Sequence, residues 1–159
     1  GRVVFEEEAR QRHRKLRVRM LRFLFRTKPK VALSSMVIYS LVVPFVVLDL
    51  WVSIYHAICF PIYGIPKVRR RDHIRIDRQH LAYLNGLQKL NCVYCGYVNG
   101  LISYVREIAG RTEAYWCPIK HASRVEGRHD HYPEFMEYGD GEVWQDGLVK
   151  SRRGLKDLE

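Results

Sequence analysis

Cys92, Cys95, Cys117 and His121 are the side chains whose types and spacing most invite chemistry. They read as Cys-x2-Cys, a gap of 21 residues, then Cys-x3-His. Thiolates at this spacing can form a knuckle that offers both sulfurs to one tetrahedral ion, and three residues before a histidine lies within zinc-ligand usage. A closed Cys3His set has no position left for water or substrate, so its ion would contribute folding energy and no catalysis. The spacing therefore predicts a structural metal site, zinc first and iron as the alternative. The bland reading is a set of unligated thiols beside a histidine, or a Cys92 to Cys95 disulfide. The fourth cysteine, Cys59, falls in an apolar run where a thiol packs as a small hydrophobe.

Other residues invite weaker readings. Glu107 and Glu113 flank a helical stretch near the cysteines and read as solvated acids, or as carboxylates orienting His121. His129, His131 and Glu134 offer a loop metal set, though His-x-His in a polar loop is usually only loop. Asp49 and His56 lie seven residues apart and can share a helix face; Asp49 reads as a turn residue before it reads as half of a proton relay. No nucleophile elbow, phosphate-cradling glycine loop, HExxH or paired-carboxylate pattern is present, which argues against an enzyme.

The elements around the knuckles are helical by pattern. Asp77 can cap a helix bearing Leu81, Leu84, Leu87 and Leu90, expected to end near Asn91, and "GLISYVREIAG" carries Leu101, Tyr104, Val105 and Ile108 at helical spacing. On Cys92, Cys95, Gly96, Tyr97, Cys117 and Pro118 the chain resembles the cysteine knuckles of rubredoxins, CxxCGY then CPxC. The resemblance implies a single iron in an electron carrier. Where that pattern has its fourth cysteine, this chain has Lys120 and then His121, and imidazole in place of thiolate shifts the preference to zinc. The stretch from Cys92 to His121, with "TE" ahead of "WCPIKH", is also similar to segments of uncharacterised bacterial membrane proteins.

A membrane is what the rest of the chain predicts. Residues 1–30 carry 11 Lys/Arg against 3 acids, residues 67–80 carry 6 against 2, and residues 126–159 carry 5 against 9. Basic blocks attract phosphate, on nucleic acid or on anionic lipid. Between them Val31 to Leu48 is an uncharged run of 18 residues inside an apolar stretch reaching Pro66, long enough for a span. The bilayer with anionic headgroups is therefore the expected partner, and no nucleic-acid fold signature accompanies the charge. Basic clusters on both flanks favour a re-entrant hairpin, in through Val31–Val43, turning at Pro44–Asp49 and out through Trp51–Tyr63. A single long span kinked at Pro44 is the alternative.

The expected architecture is mainly α, in four parts. Residues 1–30 form a basic amphipathic helix in the headgroup plane, with Leu16, Met20, Phe23 and Leu24 on one face. Residues 31–66 form the hairpin or kinked transmembrane segment, 67–125 a metal-clipped cytosolic domain, and 126–159 an acidic extended tail whose Val143, Trp144 and Leu148 dock on a partner. The expected function is a non-catalytic accessory or assembly subunit of a membrane complex, at the cytoplasmic side of a bacterial inner membrane; a rubredoxin-like iron carrier is the alternative.

Overall fold

The computed structural model describes residues 7–16 and 28–158. Met20, Phe23 and Leu24 of the expected amphipathic stripe lie outside the described residues; Leu16 is exposed just after helix α1, Glu7–Lys15. The chain is mainly α. Helices α2 (Pro29–Ser40), α3 (Val42–Tyr63), α4 (Arg70–His73), α5 (Gly86–Trp116) and α6 (Trp144–Lys156) follow, and short 3-10 turns cover Arg78–His80 and Tyr132–Glu134. Among the described residues the only β pairing is an isolated bridge between Ile119 and Met136.

Only Leu41 interrupts the helix between α2 and α3. Pro44 supplies the reason: it has no N–H for the Ser40 carbonyl and its ring crowds that oxygen. The chain tightens there, Leu41 N–H bonding the Ile38 carbonyl at 3.2 Å. The hairpin turn expected over Pro44–Asp49 is not formed, because those residues lie inside α3. Pro44 sits in the first turn of α3, where a missing donor costs nothing. Pro29–Tyr63 is one helical segment long and apolar enough to cross a membrane.

The C-terminus of α3 is a Schellman stop. Gly64 has φ +67, its N–H bonds the Pro61 carbonyl at 3.2 Å, and the Ile65 N–H reaches the Phe60 carbonyl at 2.9 Å. Ile65 and Phe60, the residues whose hydrophobic contact completes that motif, are both buried.

Helix α5 starts later than the first helix expected there, and it runs on through Asn91 to Trp116 as one helix where two were expected. Asn85 Oδ1 accepts the Gln88 N–H at 2.9 Å while Gln88 Oε1 accepts the Asn85 N–H at 3.0 Å, a reciprocal capping box. The Asn-x-x-Gln spacing is the sequence signal for this start; Asp77 instead precedes a single 3-10 turn.

The chain folds as two compact units. One comprises residues 1–47 and 71–101, the other residues 48–70 and 102–159. In the first, α2 meets α5 through Tyr39, whose hydroxyl donates to Asn91 Oδ1, and Tyr94, whose hydroxyl donates to the Ile38 carbonyl at 3.0 Å. In the second, Phe60, Val68, Tyr104, Ile108, Tyr132, Phe135 and Leu155 form the buried core. The tail there is helical where an extended arm was expected. Leu148, Ser151, Arg152 and Leu155 fall on one stripe of α6; Ser151 Oγ donates to the Ala114 carbonyl at 2.7 Å and Arg152 Nε to the Tyr115 carbonyl at 3.0 Å. These bonds occupy carbonyls of the last turn of α5, which no helical N–H can reach, and place a cation at its negative end.

Candidate functional site

Of the four expected metal ligands, two lie on α5 and two follow it. Cys92 and Cys95 stand in the N-terminal third of α5, and Cys117 directly follows its last residue, Trp116. Cys92 and Cys95 belong to the first compact unit, Cys117 and His121 to the second. The knuckle is absent: Cys92 and Cys95 are one helical turn apart, with Cys95 exposed. His121 is exposed and stacks on Tyr132, ring centroids 6.1 Å apart, while its backbone N–H donates to the Tyr132 hydroxyl at 2.8 Å. Among the described residues no group of three or more His, Cys, Asp or Glu is placed to hold a metal.

A polar cluster has formed elsewhere on α5, from residues expected to be loop and surface. His131 Nε2 donates to Glu107 Oε1 at 3.1 Å and Arg111 Nε donates to the same oxygen at 2.7 Å. His129 Nε2 lies 2.9 Å from Glu113 Oε2. Arg111 also donates to the Pro66 carbonyl at 2.8 Å, which ties the segment after α3 to α5. The His131 hydrogen bond, and after it that of Arg111, hold the Glu107 carboxyl down at about 2 against the opposing effect of burial. Neither glutamate orients His121, and both histidines face α5, not Glu134.

Gly110 makes this docking possible. A Cβ there would stand 2.9 Å from His129 Cγ and 3.2 Å from His131 Cδ2. The cluster's chemistry is therefore that of a latch: two imidazole–carboxylate pairs and one guanidinium fasten the 117–143 segment and the strap after α3 onto one helix.

Asp49 and His56 do share a face, with separate partners. Arg70 grips Asp49 with both guanidinium nitrogens, one at 2.6 Å, and its carbon lies 5.7 Å from the centre of the Tyr104 ring. His56 Nε2 accepts the Val68 N–H at 3.0 Å, and its Nδ1 lies 3.2 Å from the Tyr104 hydroxyl. An imidazole accepting at Nε2 carries its proton on Nδ1 and is neutral, so His56 is a structural bridge. Burial raises the Tyr104 phenol above its usual range. Asp49 thus sits in mid-helix, not at a turn.

No family model, curated protein or solved structure matches the chain.

Proposed function

We propose that the chain is a non-catalytic, membrane-anchored accessory subunit: a helix of about 27 Å crosses the bilayer from Val31 to Leu48, and a helical platform beyond Asp49 receives another subunit. The observation that carries this reading is the exposure of apolar side chains along Pro29–Tyr63, where Val37 is 68% and Trp51 74% accessible. Water does not tolerate so long a bare apolar face on a folded chain, whereas 18 uncharged residues match the hydrocarbon thickness.

Hydrogen bonding within the helix supports the same reading. Ser34, Ser35 and Ser40 donate to the carbonyls of Val31, Ala32 and Val37 at 2.8, 2.6 and 2.7 Å. Each hydroxyl is thus satisfied without water, as an apolar medium demands. The first charge after the run, Asp49, is neutralised by Arg70, itself 43% accessible, which suits the headgroup level.

Beyond Asp49 the face of α3 bearing Trp51, Ile54, Ile58 and Ile62 is still exposed. Beside it an apolar groove of about 380 Å³ runs between Val52 and Tyr55 on α3 and Val105, Ile108, Ala109 and Trp116 on α5. A ridge next to a groove is what a partner helix packs against. Nothing in this reading requires an ion.

Alkaline carbonate extraction tests it. The chain should remain with the membrane pellet, and Val37→Arg, which adds about 3 kcal/mol to insertion at the middle of the span, should shift it to the supernatant. A wild-type chain released by carbonate would sink the proposal.

A further inference from the structure

The segment after α4 touches α5 backbone to backbone. A Cβ at Gly96 would stand 3.0 Å from the Arg75 carbonyl oxygen, and one at Gly100 would stand 2.7 Å from Ile74 Cα and 2.8 Å from the His73 carbonyl oxygen. A Cβ at Gly100 would be closer to backbone than real Cβ atoms come and one at Gly96 would be tight, so glycine at both positions lets the segment lie flat on the helix. That approach frames a cavity of about 300 Å³, lined by Asp72, His73, Arg75, Arg78, Asn99 and the two glycines.

The lining is short of negative charge. Among the described residues neither Arg75 nor Arg78 has an acid within ion-pair distance. The acid on the lining, Asp72, is already beside Arg71 at 4.0 Å. Asn99 spends one amide hydrogen on the Cys95 carbonyl at 2.9 Å and keeps a second. Two guanidinium forks without carboxylates, with an amide donor on the same lining, match the oxygens of a phosphate.

We propose that the Arg75–Arg78 cavity binds a phosphate-bearing anion, and that the headgroup of an acidic phospholipid supplies it. The source rests on the membrane reading above. Arg70 is fixed on Asp49, the first charge after the uncharged run, and Arg75 and Arg78 follow five and eight residues later in the chain. An arginine near an anionic headgroup contributes about 1 kcal/mol, so two together correspond to roughly thirtyfold in affinity.

The experiment is native mass spectrometry of the full chain in neutral detergent, titrated separately with phosphatidylglycerol, phosphatidylcholine and inorganic phosphate. Wild type should retain phosphatidylglycerol roughly thirtyfold better than the R75Q/R78Q variant, with phosphatidylcholine alike for both. An R106Q/K150Q variant, which removes the same charge from exposed positions elsewhere, should behave as wild type. Circular dichroism on each variant separates lost binding from lost fold, and Asn99→Ala offers a milder lesion that should weaken phosphatidylglycerol in the same direction. Inorganic phosphate bound as tightly as the lipid, and lost with R75Q/R78Q, would support the anion site and overturn its lipid source. Equal phosphatidylglycerol retention by wild type and R75Q/R78Q would overturn the site. Because binding is read in detergent, either result stands apart from the carbonate extraction that judges the span.

Discussion

At the residue scale, Gly110 is the position where local propensity and tertiary packing point in opposite directions. In a free helix Gly→Ala gains about 1 kcal/mol. Here the added methyl would press on His129 and His131 at 2.9 and 3.2 Å, and overpacking of that kind costs about 1–3 kcal/mol. Gly110→Ala should therefore lower the denaturation midpoint, and adding His129→Ala should recover part of the loss; an increase in stability would contradict the docking. Glu107 gives the pH counterpart. Its folded carboxyl titrates at about 2, below the ordinary 4.5, so its contribution is complete above pH 4.5 and is lost as pH falls toward 2. The melting temperature of Glu107→Gln should lie below that of wild type at neutral pH and converge on it near pH 2; parallel curves would rule this out. None of this is legible in the sequence. His129 and His131 precede nothing periodic, and their partners lie 16 and 24 residues back, a pairing set by how the loop folds over α5. The cysteines show the converse. Cys-x2-Cys is a knuckle only in a turn, and on α5 the same spacing is one turn of helix.

At the scale of elements, what can be read depends on whether a local interaction decides the outcome. The apolar run from Val31 is helical as expected, and Pro44 does interrupt it, but at the carbonyl four residues earlier, which is where a missing N–H is felt. The start of α5 departs from expectation because Asp77 and Asn85 both look like caps, and only Asn85 has a glutamine three residues on to close the box. The tail departs from expectation because its Gly139-Asp140-Gly141 turn precedes α6 and the Asp146-Gly147 step is absorbed into the helix; the Leu148–Leu155 stripe is the better guide. The end of α3 offers the cleanest test. Gly64 has open space around its Cα yet sits at φ +67, so Gly64→Ala clashes with nothing and must still adopt a left-handed conformation. That costs about 1–2 kcal/mol. A loss of that size in thermal unfolding, with helicity before the transition unchanged, is the expected result; a neutral substitution would show that Ile65 and Phe60 alone hold the stop.

At the scale of the molecule, charge bias and helix continuity predict different topologies. Basic clusters on both sides of the apolar stretch argue for returning the chain to the side it came from. In the structure α3 runs unbroken past Asp49, so the turn that charge bias calls for at Pro44–Asp49 is not formed. Continuity also explains why Asp49 needs Arg70. A carboxylate in mid-helix at the end of the proposed span is expensive unless paired, and Arg70 returns along the strap to pair it. If this helix crosses the bilayer once, Glu8 before it and Cys117 after it must face opposite compartments. With Cys59, Cys92 and Cys95 changed to serine, exposed Cys117 is left as a natural reporter, and Glu8→Cys places a second on exposed α1. In sealed, uniformly oriented vesicles an impermeant maleimide should modify one of these thiols before lysis and the other only after it. Modification of both before lysis would put the two ends on one side, and a single crossing by Pro29–Tyr63 would then be untenable.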